Sequence, residues 1–412
     1  MKGIGVVIHG ITGRMGDMAR RSLQQIAEAG GISVEGESRL PVPIGLGRDL
    51  EKVRRYCAAN RVEHACDDLE EAIGRAAEID PDHQVYHCCV STGAKTGVLL
   101  EALEKLDSAT TAVFQEKPLA GNYAEGREVV EVLERRRFYH GVVHDFLEAP
   151  GIRQAVRMMP AIRPLTAHMI FGYETGAGFS GNPEFHGQRP DFNWTLKAAG
   201  GGIILDMSHE SYISRALFGA TESLSCVSAL LVPRRRSAAG EAVIECDVED
   251  FAVLRRAHPG VVNTSSWSWF RRINSEFGPL EISVEGEGGS VVCGLYGLKV
   301  QWSEMAPAVR WKDSLEGKKV EWRDHWQYLD LPARNPFAVE FERFIGAFLR
   351  GEAYALDAVA ALDILGEVEA LYESAARAGA VVPASRFLRY PDRVPPGWRP
   401  ERLQGLYGRR GS

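Results

Sequence analysis

Residues 3–9 form a continuous apolar run, the pattern of a strand buried on both faces, and residues 17–29 then carry apolar side chains at helical spacing. The same succession continues with a strand at 42–46, helices at 51–59 and 68–77, a strand at 84–90, a helix at 98–106, a strand at 110–115, a helix at 123–136 and a strand at 138–143. Strands alternating with helices predict a doubly wound parallel sheet of Rossmann type, and residues 1–145 are read as that domain.

Beyond residue 150 the pattern shifts to longer strands with two-residue alternation, at 164–173, 223–232, 248–255, 261–270, 279–285 and 290–294. Turn signals join them, among them His258-Pro259-Gly260 and Glu287-Gly288-Gly289. The expected result is a second, α+β domain over residues 146–384, built on a large, mainly antiparallel open sheet. A helix at 203–218 interrupts the strands, and helices at 336–349 and 357–378 close the fold. The tail 385–412, rich in Pro, Arg and Gly, is expected to wrap the surface or to stay partly disordered. The fold class is therefore α/β, a Rossmann domain followed by an α+β domain.

Composition agrees with two cores and narrows the partners. A chain of 412 residues with 45% apolar content exceeds the size at which one core stops growing. A net charge of -7 argues against a nucleic-acid partner, which calls for a concentrated basic face. The run Arg234-Arg235-Arg236 reads as a solvated loop. Neither a secretory signal nor an apolar stretch of membrane-spanning length is visible, so a soluble, cytoplasmic protein without a membrane partner is expected. Seven scattered cysteines fit reduced thiols. Cys57, His64 and Cys66 match no zinc spacing, and no metal is expected.

Three stretches carry chemistry. The loop Gly10-Ile11-Thr12-Gly13-Arg14-Met15-Gly16 follows a strand and opens a helix, where backbone N–H groups face a pyrophosphate. Its candidate cofactor contacts are Gly10, Thr12, Gly13, Arg14, Met15 and Gly16, with Thr12 standing where the dinucleotide fingerprint has its second glycine. At the end of the second strand, Leu46-Gly47-Arg48-Asp49 offers Arg48 where NAD-selective sites place a carboxylate, which favours NADP over NAD, with Asp49 as the alternative ribose ligand. Ser91, past the strand 84–90, and Glu116 are further candidates for the cofactor side. In Glu116-Lys117-Pro118, at the end of the strand 110–115, Lys117 is one of ten lysines and is restrained by the proline. It is placed to bond a substrate oxygen as hydride leaves the neighbouring carbon. In Gly200-Gly201-Gly202-Ile203-Ile204-Leu205-Asp206-Met207-Ser208-His209-Glu210, Asp206 and His209 share one helix face, so the histidine can move a proton beside a carboxylate. Asp145, next to His144 at the exit of the last strand, is a substrate-side candidate. So are Arg189 and Trp194, suited to binding and stacking on a sugar.

The glycine loop, Glu-Lys-Pro and the glycine triplet followed by aspartate and histidine resemble the Gfo/Idh/MocA family, named for glucose-fructose oxidoreductase and inositol dehydrogenase. The resemblance spans residues 1–380 and extends to 282–294 and to Leu371-Tyr372-Glu373-Ser374. It implies an NAD(P)-dependent oxidoreductase acting on a secondary alcohol of a sugar, glycoside or cyclitol, with Lys117 and His209 at the reacting oxygen and Asp206 assisting. Lys117, Asp206 and His209 would then touch the substrate too. Two departures stand out. Many members separate the aspartate and histidine by four residues rather than three, and Tyr212 stands where an aspartate is common, read either as a substrate-defining residue or as a packed aromatic. The rival functions are a lyase that uses transient oxidation and a cofactor-binding regulator without activity. A homodimer or homotetramer through the open sheet is the expected assembly.

Overall fold

The computed structural model describes residues 2–172, 191–237, 242–271, 275–307, 316 and 321–384. Arg189 and the tail 385–412 lie outside the described residues. The first sheet contains β1 (Lys2–His9), β2 (Ile32–Val34), β3 (Glu37–Leu46), β4 (His64–Cys66), β5 (Gln84–Cys88), β6 (Thr111–Gln115) and β7 (Tyr139–Val142). Its order is β2-β3-β1-β5-β6-β7, with β4 also paired to β3. Every pair is parallel except β2 with β3. Helices α1 (Arg14–Glu28), α2 (Leu50–Ala59), α3 (Leu69–Ile79), α4 (Thr92–Lys105) and α5 (Tyr123–Arg136) supply the crossovers. The chain direction across the sheet reverses at β1, where His9 lies in register with Leu46 on one side and Cys88 on the other. Such a switch point opens a crevice at the carboxyl ends of the strands.

Next come α6 (Pro150–Ile162), β8 (Pro164–Gly172), α7 (Leu196–Ala199), α8 (Ile203–Asp206), α9 (Ser208–Phe218), β9 (Ser223–Ala229), β10 (Arg234–Arg236) and β11 (Val243–Glu245). The chain continues through β12 (Phe251–His258), β13 (Val261–Ser268), β14 (Leu280–Gly286), β15 (Gly289–Gly294), β16 (Leu298–Trp302), β17 (Gln327–Leu329), α10 (Pro336–Arg350), α11 (Ala358–Ala376) and β18 (Val382–Pro383). The second sheet has nine strands in the order β17-β16-β15-β14-β8-β13-β12-β9-β18, antiparallel except for β8 with β13. Helices α6 and α11 pack on one face, while Val227, Val253 and Val262 remain exposed on the strands. Among the described residues no helix is long and apolar enough to cross a membrane.

Helix α10 returns from the end of the chain to the first sheet. Phe337, Phe341, Phe344 and Ile345 share one buried cluster with Ile4, Val6 and Ile8 of β1, and Phe344 stacks on Phe114 of β6 with centroids 4.2 Å apart. A 15-residue helix with this many aromatic groups on one side needs an apolar face to cover, and the sheet supplies it.

Several local expectations are corrected. Strands β2 and β4 are too short to leave a periodic signal. Helix α6 was not anticipated because Pro150 and Pro160 mask an otherwise helical apolar spacing, and Pro150 sits at the first turn, where proline costs little. Helix α4 starts at Thr92, six residues before its expected start. The single helix expected at 203–218 divides at Met207 into α8 and α9.

The arginine run is not a solvated loop. It forms β10 against β11, and Arg235 is buried, its guanidinium 2.8 Å from Asp250 and 4.3 Å from the centre of the Trp194 ring. Trp194 is itself only 1% exposed and meets Trp269 edge to face, so the indole expected to stack on a sugar is part of this packing.

The glycine triplet has a steric cause. Gly200 has φ +80°, and a Cβ on Gly202 would overlap the carbonyl oxygen of Glu249. That close approach lets the Glu249 side chain cap α8: Oε1 accepts from Gly202 N (3.1 Å), Ile204 N (3.0 Å) and the Tyr372 hydroxyl (2.7 Å). Burial pushes the Glu249 carboxyl up to about 7, against the pull of these donors.

Two outcomes are expected. Arg235→Ala leaves the buried Asp250 carboxylate with the Leu231 and Val232 amides but without its cation, and should lower stability by about 3 kcal/mol in urea unfolding. Glu249 keeps its proton in the folded state while the unfolded chain releases it near pH 4.5, so its contribution is present below that pH and is lost as pH rises to about 7. Glu249→Gln keeps the acceptor oxygen without titrating. Across pH 5–7 it should lose less stability than the parent, by on the order of 1 kcal/mol per pH unit, in thermal unfolding followed against pH.

Candidate active site

Lys117 leaves the carboxyl end of β6, and Asp206 ends α8. They meet across the two sheets, with Lys117 Nζ 2.9 Å from Asp206 Oδ1 and 3.2 Å from its carbonyl oxygen. His209 lies in the first turn of α9, and its Nε2 turns to Asp145 Oδ1 at 3.8 Å. Phe146 stacks flat on the His209 ring at 4.3 Å. Asp145 opens the short 3-10 turn Asp145–Glu148 directly after β7. One ammonium, two carboxylates and one imidazole thus gather where β6, β7 and α8 end and α9 begins.

Burial, reinforced by the Lys117 charge, drives the His209 imidazole well below its usual range, with Asp206 opposing. The ring is therefore neutral near pH 7 and can accept a proton. Burial raises the Asp145 carboxyl to about 6, and Lys117 pulls it the other way.

Glu210, the residue after His209, is not its partner. It faces the second sheet, where it pairs with Arg256 and accepts from Asn263 Nδ2 (3.2 Å) and Ser265 Oγ (2.9 Å). Tyr212 packs on the His144 ring with centroids 3.4 Å apart, and His144 meets His209 edge to face at 5.5 Å. The hydroxyl of Tyr212 is enclosed, which is the packed-aromatic arrangement, one layer behind the histidine.

A second lysine gave no sequence signal beyond its rarity. Lys95 of α4 is fully buried and donates to the carbonyl oxygens of Glu116 (2.6 Å) and Pro118 (2.7 Å), the residues on either side of Lys117. Burial lowers its ammonium, and burial raises the Glu116 carboxyl beside it. Glu116, the expected cofactor-side residue, faces inward, 3.9 Å from His87 Nε2, and lies in the support under the loop. The ligand atoms of His87, Cys89 and Glu116 lie within 4.8 Å of one another, a metal-like grouping among the described residues. Lys95 already supplies positive charge to Glu116 and Cys89, which disfavours a cation there.

The glycine loop suits a dinucleotide. Gly10 has φ +92°, and a Cβ on Gly16 would overlap the Gly10 carbonyl oxygen, so both positions require glycine for backbone reasons. Gly13 is exposed, has little packed against it and caps α1 without any side-chain acceptor, and helix starts of this kind suit an anion. Thr12, Arg14 and Met15 border this turn. Ser91 likewise opens α4 with no side-chain cap bond. Arg48 is exposed at the end of β3, close enough to His9 to oppose its protonation, whereas Asp49 accepts from Lys52 N at 3.0 Å as the cap of α2. A separate groove lined by Met159, Leu165, Phe218 and Val261 lies at the other end of α9, and its charged residues Arg163 and Glu287 are paired with each other.

No family model matches the chain. It is 28% identical over 362 residues to the D-xylose dehydrogenase of Paenarthrobacter nicotinovorans, covering 85% of this chain and 89% of the relative. Levoglucosan dehydrogenase solved with NADH and L-sorbose superposes with a TM-score of 0.73 at 16% identity, over 93% of this chain and 99% of the other. An NAD binding oxidoreductase from Klebsiella pneumoniae gives 0.72 at 15% identity, over 92% and 99%. These structures share the pairing of a Rossmann sheet with a large, mainly antiparallel one. The D-xylose dehydrogenase aligns along most of the chain, and the solved structures have the same fold as this protein.

Proposed function

We propose that this protein is a nicotinamide-dependent dehydrogenase that oxidises a secondary alcohol of a sugar or related polyol, or reduces the matching ketone. The observation that carries the reading is the meeting of Lys117, Asp206, Asp145 and His209 beside an uncapped helix start at the switch point of the first sheet. A nicotinamide held by the glycine loop would supply the hydride acceptor. The chain's own residues act on oxygen: neutral His209 takes the hydroxyl proton, and the Lys117 ammonium stabilises the negative charge that grows on that oxygen, a contribution of about 2–4 kcal/mol. Asp206 holds the ammonium in place. This intact set supports an active enzyme over an inactive regulator.

The sugar class rests on the relatives, one a D-xylose dehydrogenase and another solved with NADH and levoglucosan. For the cofactor we favour NADP. Asp49 is engaged as a helix cap, which leaves Arg48 as the charged group available to a 2′-phosphate, and the NADH in the solved relatives makes NAD the rival.

Titration with NAD and NADP, followed by an oxidation screen of aldoses, anhydrosugars and cyclitols, tests the reading. Net reduced cofactor should accumulate with at least one sugar; none across the screen would overturn the proposal. Lys117→Ala should lower kcat about 10²–10³-fold with cofactor Kd little changed. Arg48→Ala should weaken NADP binding about tenfold more than NAD binding, the loss expected for one charge-assisted phosphate contact. Equal effects on both cofactors would remove Arg48 from the selection.

A further inference from the structure

We propose that Asp145 is the proton exit of the reaction, taking from His209 Nε2 the proton that the substrate hydroxyl releases and passing it to solvent. The inference rests on the dehydrogenase reading above and adds to it the path by which the buried base is reset.

His209 needs such a path. Its side chain is 6% exposed, with Phe146 flat against one face and His144 against its edge. Nδ1 is enclosed without a hydrogen-bond partner, so the ring turns Nε2 toward Asp145. Once oxidation has left a proton on that nitrogen, the ring is a cation beside the Lys117 ammonium, in a setting that already disfavours its charged form. It must lose the proton before the next turnover.

The neighbouring groups are poor receivers. Asp206 is already ion-paired to Lys117 at 2.9 Å. Glu340, which faces Asp145 electrostatically, is enclosed and accepts from His144 N at 2.7 Å. Glu116 is turned inward toward His87, and Glu210 is held by Arg256, Asn263 and Ser265. Both ring nitrogens of His144 are sealed from solvent. Asp145 differs from all of these in combining an oxygen 3.8 Å from Nε2 with a side chain that keeps 16% of its surface exposed. Burial holds its carboxyl near 6, where it can both take and release a proton around neutrality.

The balance is simple. With a nicotinamide bound as hydride acceptor, the carbinol carbon would give up a hydride to it while the O–H bond breaks and its electron pair forms the carbonyl. The proton binds His209 Nε2. After the ketone leaves, that N–H bond breaks as an O–H bond forms on Asp145, which then protonates water or buffer; ketone reduction runs the same steps in reverse.

The test uses the full chain, its preferred coenzyme and the sugar of the screen with the highest turnover. Asp145→Ala should lower kcat about 10- to 100-fold with the sugar KM changed less than about threefold. Added formate and acetate should restore turnover, with the rescue rate constant rising with the pKa of the acid, because the small carboxylate then carries the proton. Asp145→Asn, which fills the same space, should be slow and resist rescue. Parental kcat in Asp145→Asn would overturn the proposal. So would a loss in Asp145→Ala that appears mainly in KM, that the acids fail to restore, or that they restore without regard to their pKa. A parental enzyme that oxidises no sugar with either coenzyme defeats the dehydrogenase reading itself and is recognised without any variant.

Discussion

A buried ammonium that bonds two backbone carbonyls decides where the neighbouring reactive ammonium can stand. Lys95 grips the carbonyl oxygens of Glu116 and Pro118, so the peptide units on both sides of Lys117 are tied to α4 rather than free to drift at the end of β6. Lys117 then reaches across to Asp206, a residue of α8. Lose the first grip and the second has no fixed origin. Because Lys95 is buried, its charge is tolerated only with these oxygens and the field of Glu116 around it, and the support is therefore specific rather than a matter of general packing.

The far side of the site depends on a different constraint. Asp206 and His209 can present themselves together because the glycine triplet lets the backbone touch Glu249, whose carboxyl caps α8 while Tyr372 of α11 holds it. Helix α11 also bonds the first domain, through Glu369 Oε1 accepting from Tyr123 N at 2.9 Å. The same helix thus braces both halves of the site. Burial raises the carboxyls of Glu116, Asp145, Glu249, Glu340 and Glu369 alike, because lost hydration disfavours the charged form of each.

Sequence pattern went furthest where a signal was long and local. The strands at β1, β5 and β6, the helix α5 and the two closing helices stand close to where periodicity put them, since each buries a stripe whose spacing is set by its own geometry. The glycine loop was legible for the same reason: Gly16 is dictated by the Gly10 carbonyl one loop away and Gly10 by its own φ of +92°. Short strands such as β2 and β4 carry too few residues to show a period, and two prolines masked α6. The arginine run misled because charge alone does not tell whether a carboxylate such as Asp250 waits 15 residues away.

By itself the sequence determined the fold class, the family likeness and the residue types that could bind a nicotinamide and act on a hydroxyl, because each is written in spacings of a few residues. Only the tertiary structure decided that Lys117 pairs with Asp206, that Asp145 rather than Glu210 lies against His209, that Trp194 is sealed under Arg235, and that Lys95 holds the loop. Those outcomes join groups 15 to 89 positions apart or choose between adjacent side chains by burial. The partners come from separate elements, and local spacing holds no record of which elements pack together.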